Sequence, residues 1–409
     1  MFIEERYRLF VPLMLLALCF FDAMSRVLML APFEVLFLLL LMMPLFVKVD
    51  WNGVVFYTLF LFLFVSLCSF VVSYENTGIY GFKYWFGQYA FRIGVVFVVV
   101  WLYLYRFFQI DDIARSMFWV NLLVSLTGIT LMALFSDLQF FRNGVYRLDE
   151  GFKGIIDLTA YYNPNVISRY LILTAPLALY YSYRKSLFMT LLLIASNFAV
   201  IYSAGSRMAV LCIFLMFVLF MIFSKLKMST KGVIFLIFTV FVFASFDRFY
   251  ERMERKMEQV SEHGSSIRLA MLDATLDAVE KQPVLGYGPG MAKEVVNSDP
   301  EFISVYETLF PGNEHAIALH NTSMLVVLDL GLIALFVFNF LFLLLIYILY
   351  RQYRLYGDGM LLACLISVLG VYLMGFTSVS LGENIGWLII GFAVCCIKSK
   401  GAQKENYSV

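Results

Sequence analysis

The sequence predicts an all-α polytopic membrane protein, with about twelve transmembrane helices and one large helical loop outside the membrane. Three observations predict it. Of 409 residues, 62% are hydrophobic and only 14% are charged, far from the composition of a soluble domain. The apolar residues come in long runs that are apolar on every side, which argues for bundled helices and against the alternating strands of a barrel. Finally, cations recur in every second connection between the runs, the pattern of short cytoplasmic loops.

The runs lie near 9–24, 27–47, 53–73, 89–108, 115–135, 165–183, 187–204, 207–224, 232–246, 322–350, 359–377 and 384–398. The first and ninth are the shortest. Arg6 and Arg8 before the first run mimic a signal peptide. No small-x-small cleavage site follows and a second apolar run comes at once, so the first run is expected to stay as a helix. With the N-terminus inside, the inner connections carry Arg6 and Arg8, Lys48, Arg106 and Arg115, Arg184 and Lys185, Lys225 to Lys231, Arg351 and Arg354, and Lys398 onward. Both termini are then cytoplasmic. The chain divides into helices one to nine (1–246, with a medium outer loop at 136–164), a large outer loop (247–321), helices ten to twelve (322–398) and a tail (399–409). Residues 401–409 are polar and are expected to be disordered.

Several function classes fall away. A net charge of +1 gives no basic surface for nucleic acid. Six cysteines, Cys19, Cys68, Cys212, Cys364, Cys395 and Cys396, all lie in apolar runs without a CxxC, and read as buried thiols. No DxD, DDxxD, HExxH or Walker loop occurs, so metal-assisted phosphate chemistry lacks an evident ligand set. The inner connections are too short to hold a catalytic domain, so any active site faces outward.

The outer segments carry the chemistry. Residues 247–262 alternate Arg248, Arg252, Arg255 and Lys256 with Phe249, Met253, Met257 and Val260, an amphipathic helix suited to a membrane surface. Ser265 or Ser266 can cap a second helix over about 267–281. Arg268 falls in its first turn, where a cation and free N–H groups together make an anion site; the alternative is a solvated arginine. Pro283 stops that helix. Gly286-Tyr287-Gly288-Pro289-Gly290 follows without a preceding strand, so it reads as a tight turn and not as a dinucleotide fingerprint. Arg207 begins the eighth span at its outer end, where it either snorkels or holds an anion. The medium loop brings Arg142, Arg147 and Lys153, then Asn163-Pro164-Asn165 leading into a span that contains Arg169. Arg92 lies early in the fourth span. Glu34, Asp329 and Glu383 are the acidic counterparts, expected mainly in structural ion pairs. All three histidines, His263, His315 and His320, fall in the large loop. With an ordinary pKa of roughly 6.5 they are the natural groups for proton chemistry near neutrality. His320 opens His320-Asn321-Thr322-Ser323 just before the tenth span, where Asn321 can orient the ring or cap the helix.

In this order and on one membrane face, these pieces resemble the O-antigen ligase and O-antigen polymerase superfamily of bacterial membrane glycosyltransferases. The resemblance rests on Arg147 with Asn163-Pro164-Asn165, on Ser206-Arg207, on Arg268, on Pro283 with its glycines, and on His320-Asn321 followed by Gly331. The ligase pattern is His, then Asn, Ser or Gln, nine residues, Gly, two residues, and Gly, Thr or Tyr; this chain has Ala334 at the last place. That departure weakens the ligase assignment relative to a polymerase, with the ligase still the first expectation and the polymerase the second.

The resemblance implies a GT-C-like fold in the bacterial inner membrane and an active site on the periplasmic face. It implies a donor glycan on a polyprenyl diphosphate such as undecaprenyl diphosphate, and an acceptor hydroxyl on lipid A-core (ligase) or on another lipid-linked unit (polymerase). It implies no cofactor and no metal. Arg207 and Arg268 would take the leaving diphosphate, whose growing charge a guanidinium fork holds well. His320 would act as general base on the acceptor. Arg147, Asn163, Asn165, Asn321 and Arg92 would contact substrate. From other classes, a transporter or lipid flippase is the main competitor, followed by a non-catalytic assembly partner; no internal symmetry supports the transporter.

Overall fold

The computed structural model describes residues 8–20, 53–134, 164–204, 207–223, 267–309, 319, 321–376 and 384–406, with scattered positions between 227 and 243. The described elements are helices: α1 (Phe10–Phe20), α2 (Val54–Val72), α3 (Tyr74–Trp85), a π turn (Phe86–Ala90), α4 (Phe91–Leu104), α5 (Ile110–Leu134), α6 (Pro164–Lys185), α7 (Leu187–Ala204), α8 (Arg207–Phe223), α9 (Ile267–Lys281), α10 (Ala292–Asn297), α11 (Pro300–Leu309), α12 (Thr322–Tyr356), α13 (Gly359–Gly375) and α14 (Asn384–Asn406). Among the described residues there is no strand. Five spans are long and apolar enough to cross a membrane: α2, the continuous rod Tyr74–Leu104, α5, α7 and α12. Two shorter apolar helices, Gly359–Gly375 and Asn384–Ser399, accompany them. The expected spans at 27–47 and much of 232–246 lie outside the described residues, as do the amphipathic segment 247–262 and the loop 136–163.

Local chemistry sets many of the ends. Pro164 opens α6, where its missing N–H costs nothing and its fixed φ suits a helix. Asp112 Oδ2 reaches back to accept from Gln109 N at 2.9 Å before α5. Gly357, at φ 62, closes α12 in the left-handed cap, and the next residue, Asp358, caps α13 by accepting from Met360 N at 2.9 Å.

Packing orders the helices. α6 lies against α5, α7, α8 and α13, and α4 lies along α14. Between α5, α6 and α7 runs a buried amide network. Asn121 Nδ2 donates to Leu171 O at 3.0 Å and to Thr174 Oγ1 at 2.7 Å, while Asn197 Nδ2 donates to Asn121 Oδ1 at 2.7 Å. Many large apolar side chains face outward, Phe64, Phe188 and Phe336 among them, as a lipid-facing surface requires. Four of the cysteines, Cys212, Cys364, Cys395 and Cys396, are buried thiols outside any disulfide.

The helices alternate in direction. Arg8 before α1, Leu104 and Arg106 after α4, Arg184 at the end of α6, Asp358 before α13 and Lys398 near the end of α14 all line one cavity. That fixes one end of the bundle. α6 and α7 are separated by Ser186 alone, so α7 returns to the opposite end, where α8 begins. Lys398 Nζ lies 5.3 Å from the Phe56 ring, so α2 starts at the cavity end and finishes at the other. The start of α12 and the start of α6 share that other end.

Three expectations are corrected. The fourth span was expected over 89–108, but the helix begins at Tyr74, kinks at Gly78 and continues through a π turn to Leu104. Packing makes the polar first part helical: Trp85 Nε1 donates to Ser66 Oγ at 3.0 Å, and the Trp85 ring stacks on Phe70. The run 322–350 was read as one uninterrupted helix, but α12 breaks at Gly331, with φ 81 and ψ 179. The tail was expected to be disordered from 401, but α14 carries helical backbone through Asn406.

Candidate functional site

The break in α12 is the centre of the site. Interrupting the ladder at Gly331 frees backbone groups that must be paired elsewhere when buried. The segment between α9 and α10 supplies the partners. Tyr287 N donates to Leu328 O at 2.7 Å, Gly288 N to Asp329 O at 3.0 Å, and Leu332 N to Pro283 O at 2.8 Å. From α2, Ser69 Oγ lies 2.7 Å from Leu285 O and 2.9 Å from Asp329 O, donating to one or the other. Residues 283–288 therefore form a strap across the broken helix.

The glycines make this approach possible. A Cβ on Gly331 would collide with the Val284 carbonyl, and one on Gly286 would stand 2.6 Å from Leu328 O. Both residues have positive φ, 81 and 68, so glycine is demanded twice over. The tight turn expected over Gly286–Gly290 is thus present, and its purpose is the strap.

Asp329 pins the arrangement from inside. It is fully buried. Its Oδ2 accepts from Tyr89 Oη at 2.9 Å and its Oδ1 from Ala292 N at 2.9 Å. Among the described residues it makes no ion pair: its partners are the Tyr89 hydroxyl and the Ala292 amide at the start of α10, so the buried carboxyl is met by hydrogen-bond donors. An acid two residues before a glycine inside an apolar run was the available signal, and the sequence reading saw only its charge. Tyr89 and Ser69 carried no signal, being an aromatic and a hydroxyl in apolar helices.

Around this centre sits a small helical cap. Ala270, Met271, Ala274 and Ala278 of α9 pack with Ala292, Val296, Phe302 and Tyr306, and with Leu319, Leu325 and Leu328 of the α12 entry. Alanines spaced four apart give α9 a smooth face for close approach. Tyr287 Oη donates to Ala278 O at 3.0 Å, and burial pushes that hydroxyl above its ordinary pKa.

Asn321 caps α12: its Oδ1 accepts from Ser323 N at 2.7 Å and from Met324 N at 3.3 Å. Of the two roles open to it, capping is made; the other involves His320, which lies outside the described residues. Arg268 is exposed in the first turn of α9. Its neighbour Ile267 and the early α12 residue Met324 pack on the same cluster, so the two helix starts are brought together. Asn165 is exposed in the first turn of α6, with its carbonyl accepting from Arg169 Nε at 3.2 Å. Arg92 is only 5% exposed, one turn beyond Tyr89 in the same rod. The backbone of Arg207 begins α8 at the same end of the bundle. Its side chain lies outside the described residues, as do His320, Arg147 and Asn163, along with His263 and His315.

Residues 188–339 match the family model described as O-Antigen ligase. The match begins at the start of α7 and ends within α12, past its break at Gly331, so it contains α8, the cap and the strap. That stretch is similar to the O-antigen ligase family. No curated protein matches it at a significant level.

Proposed function

We propose that this chain is a periplasmic-face glycosyltransferase of the bacterial inner membrane that moves a glycan from a polyprenyl diphosphate to a hydroxyl of lipid A-core. One observation carries the reading. Within the stretch matched to O-antigen ligase, the helix start that follows His320 and the helix start that bears Arg268 share one packed cluster, at the bundle end where Arg207 begins α8.

The chemistry follows from the residue types. Arg207 and Arg268 hold the diphosphate, and their hydrogen bonds strengthen as charge grows on the leaving oxygen. His320 removes the acceptor proton as the hydroxyl attacks the anomeric carbon and the bond to the diphosphate breaks. The cap at Asn321 fixes where α12 begins, and so where residue 320 enters it. The anionic leaving group needs no metal with two guanidiniums in place. Asn165 and Asn321, with Arg147, Asn163 and Arg92, complete the substrate contacts in this reading. The cavity end of the bundle then faces the cytoplasm, and both termini with it.

A second reading has a specific observation behind it. Ala334 stands where the ligase pattern has Gly, Thr or Tyr, and it is fully buried. That favours a polymerase, which joins the donor glycan to another lipid-linked unit.

The test is purified protein with lipid-linked glycan, chelator, and either lipid A-core or a second lipid-linked unit as acceptor. Transfer to one acceptor is expected. His320→Ala should cost about 10²–10⁴ in rate while donor binding persists. Arg268→Lys should fall well below wild type, because charge without the fork is insufficient. Normal turnover in both variants would remove the proposed roles.

A further inference from the structure

At the end of the bundle opposite the strap, a cavity of about 630 Å³ opens between five elements. Four cations line it: Arg8 before α1, Arg106 in the α4–α5 turn, Arg184 at the end of α6 and Lys398 in α14. Two carboxylates, Asp111 and Asp358, share the wall. The cations outnumber them two to one. Asp358 Oδ1 is engaged by Met360 N in capping α13. Asp111 Oδ1 stands 3.8 Å from Arg184 Nη1, beyond a hydrogen bond, with both side chains more than half exposed.

Charge on the inner loops explains why each connection holds a cation. It does not explain two further observations. Arg8 Nε is buried with no hydrogen-bond partner, a donor left waiting for an acceptor. Arg106 has φ 59 and is the one non-glycine residue at positive φ among those described. Glycine or asparagine would adopt that backbone at lower cost, so an arginine there is explained by its side chain. The rest of the wall includes Leu104, Phe108 and Leu361, an apolar side next to a cationic one.

We propose that this cavity binds a phosphate group, with guanidinium forks from Arg8 and Arg106 as its principal donors. The apolar wall suits the glycerol and upper acyl carbons of an anionic phospholipid, and a soluble phosphate shares the same headgroup chemistry. The site is independent of the transfer reaction and of the strap.

The experiment uses full-length protein, stripped of lipid in detergent and read by native mass spectrometry. It is offered phosphatidylglycerol, phosphatidylcholine or inorganic phosphate. Wild type should retain phosphatidylglycerol over phosphatidylcholine. Arg8→Gln combined with Arg106→Asn, where Asn keeps the left-handed backbone, should bind it about tenfold or more weakly. Arg184→Gln is the second variant, should the first lose its gel-filtration profile, and should weaken binding in the same direction. Retention of inorganic phosphate but not of phosphatidylglycerol, lost in the same variants, would support the site and assign it to a soluble ligand. Equal retention of all three probes by wild type and both variants would overturn the proposal.

Discussion

Removing the Asp329 carboxylate should release the strap. Asp329→Ala strands two buried donors, the Tyr89 hydroxyl and the Ala292 amide, each now 2.9 Å from a carboxylate oxygen. A buried donor left without its partner costs about 1–3 kcal/mol, so the variant should lose about 2–6 kcal/mol, with the lower part of that range expected if water reaches the vacancy. Asp329→Asn keeps one acceptor oxygen, and the Tyr89 hydroxyl can turn to accept from the new amide. Its cost should be about 1 kcal/mol. Two readouts separate the cases. SDS titration in mixed micelles gives global stability. Trypsin gives local opening, because Lys281 and Lys293 flank the strap and are exposed. If opening precedes cleavage, a loss of about 3 kcal/mol raises the cleavage rate by about 10². The order expected is Ala fastest, then Asn, then wild type. Gly331→Ala should imitate the Ala variant, because its methyl collides with the Val284 carbonyl. Cleavage and unfolding unchanged in Asp329→Ala would refute the idea that this carboxylate holds the loop to the bundle.

Three further outcomes are expected. Asn321→Ala should cost about 1 kcal/mol in the same SDS titration, with Asn321→Ser restoring most of it, because both Asn and Ser cap helices well; equal values for Ala and Ser would deny the cap any energetic weight. Asn121→Leu should destabilise by about 1–2 kcal/mol, and the Asn121→Leu, Asn197→Leu pair should cost less than the two added, since bonds between helices in membranes are worth about 0.6 kcal/mol each and stranded partners carry the rest. Cysteines at positions 293 and 356 should differ in reach: in cells with a permeabilised outer membrane an impermeant thiol reagent should label the first and not the second, and the reverse would invert the proposed orientation.

Much of the bundle was legible because lipid imposes a simple rule on sequence. The runs 53–73, 187–204 and 207–224 became Val54–Val72, Leu187–Ala204 and Arg207–Phe223. Local backbone chemistry was legible for the same kind of reason: Pro164 opens a helix, Asn321 caps one, and Gly286, Gly288 and Gly290 take positive φ. What failed depended on distant partners. Glu75, Asn76 and Lys83 read as loop, and become helical because Trp85 and Phe70 anchor that segment to α2. Gly331 was noticed as a motif position, yet nothing near it in sequence announces a break. The acceptor for Leu332 N and the donor for Leu328 O come from Pro283 and Tyr287, far upstream. Asp329 was misjudged likewise, since its partners belong to the π turn before α4 and to the start of α10.

The break also sets a depth. Residues 332–356 alone, at about 1.5 Å per residue, run about 37 Å, more than the roughly 30 Å of a hydrocarbon core. The part of α12 after Gly331 can therefore cross the bilayer unaided. If that part makes the crossing, residues 322–330 lie toward the headgroup layer. In that placement the acid, which looks in sequence like a charge sunk in a transmembrane helix, comes near the lipid–water boundary. Under the function proposed above, that is the level at which a diphosphate, held by its polyprenyl tail and unable to sink into the apolar interior, would meet the protein.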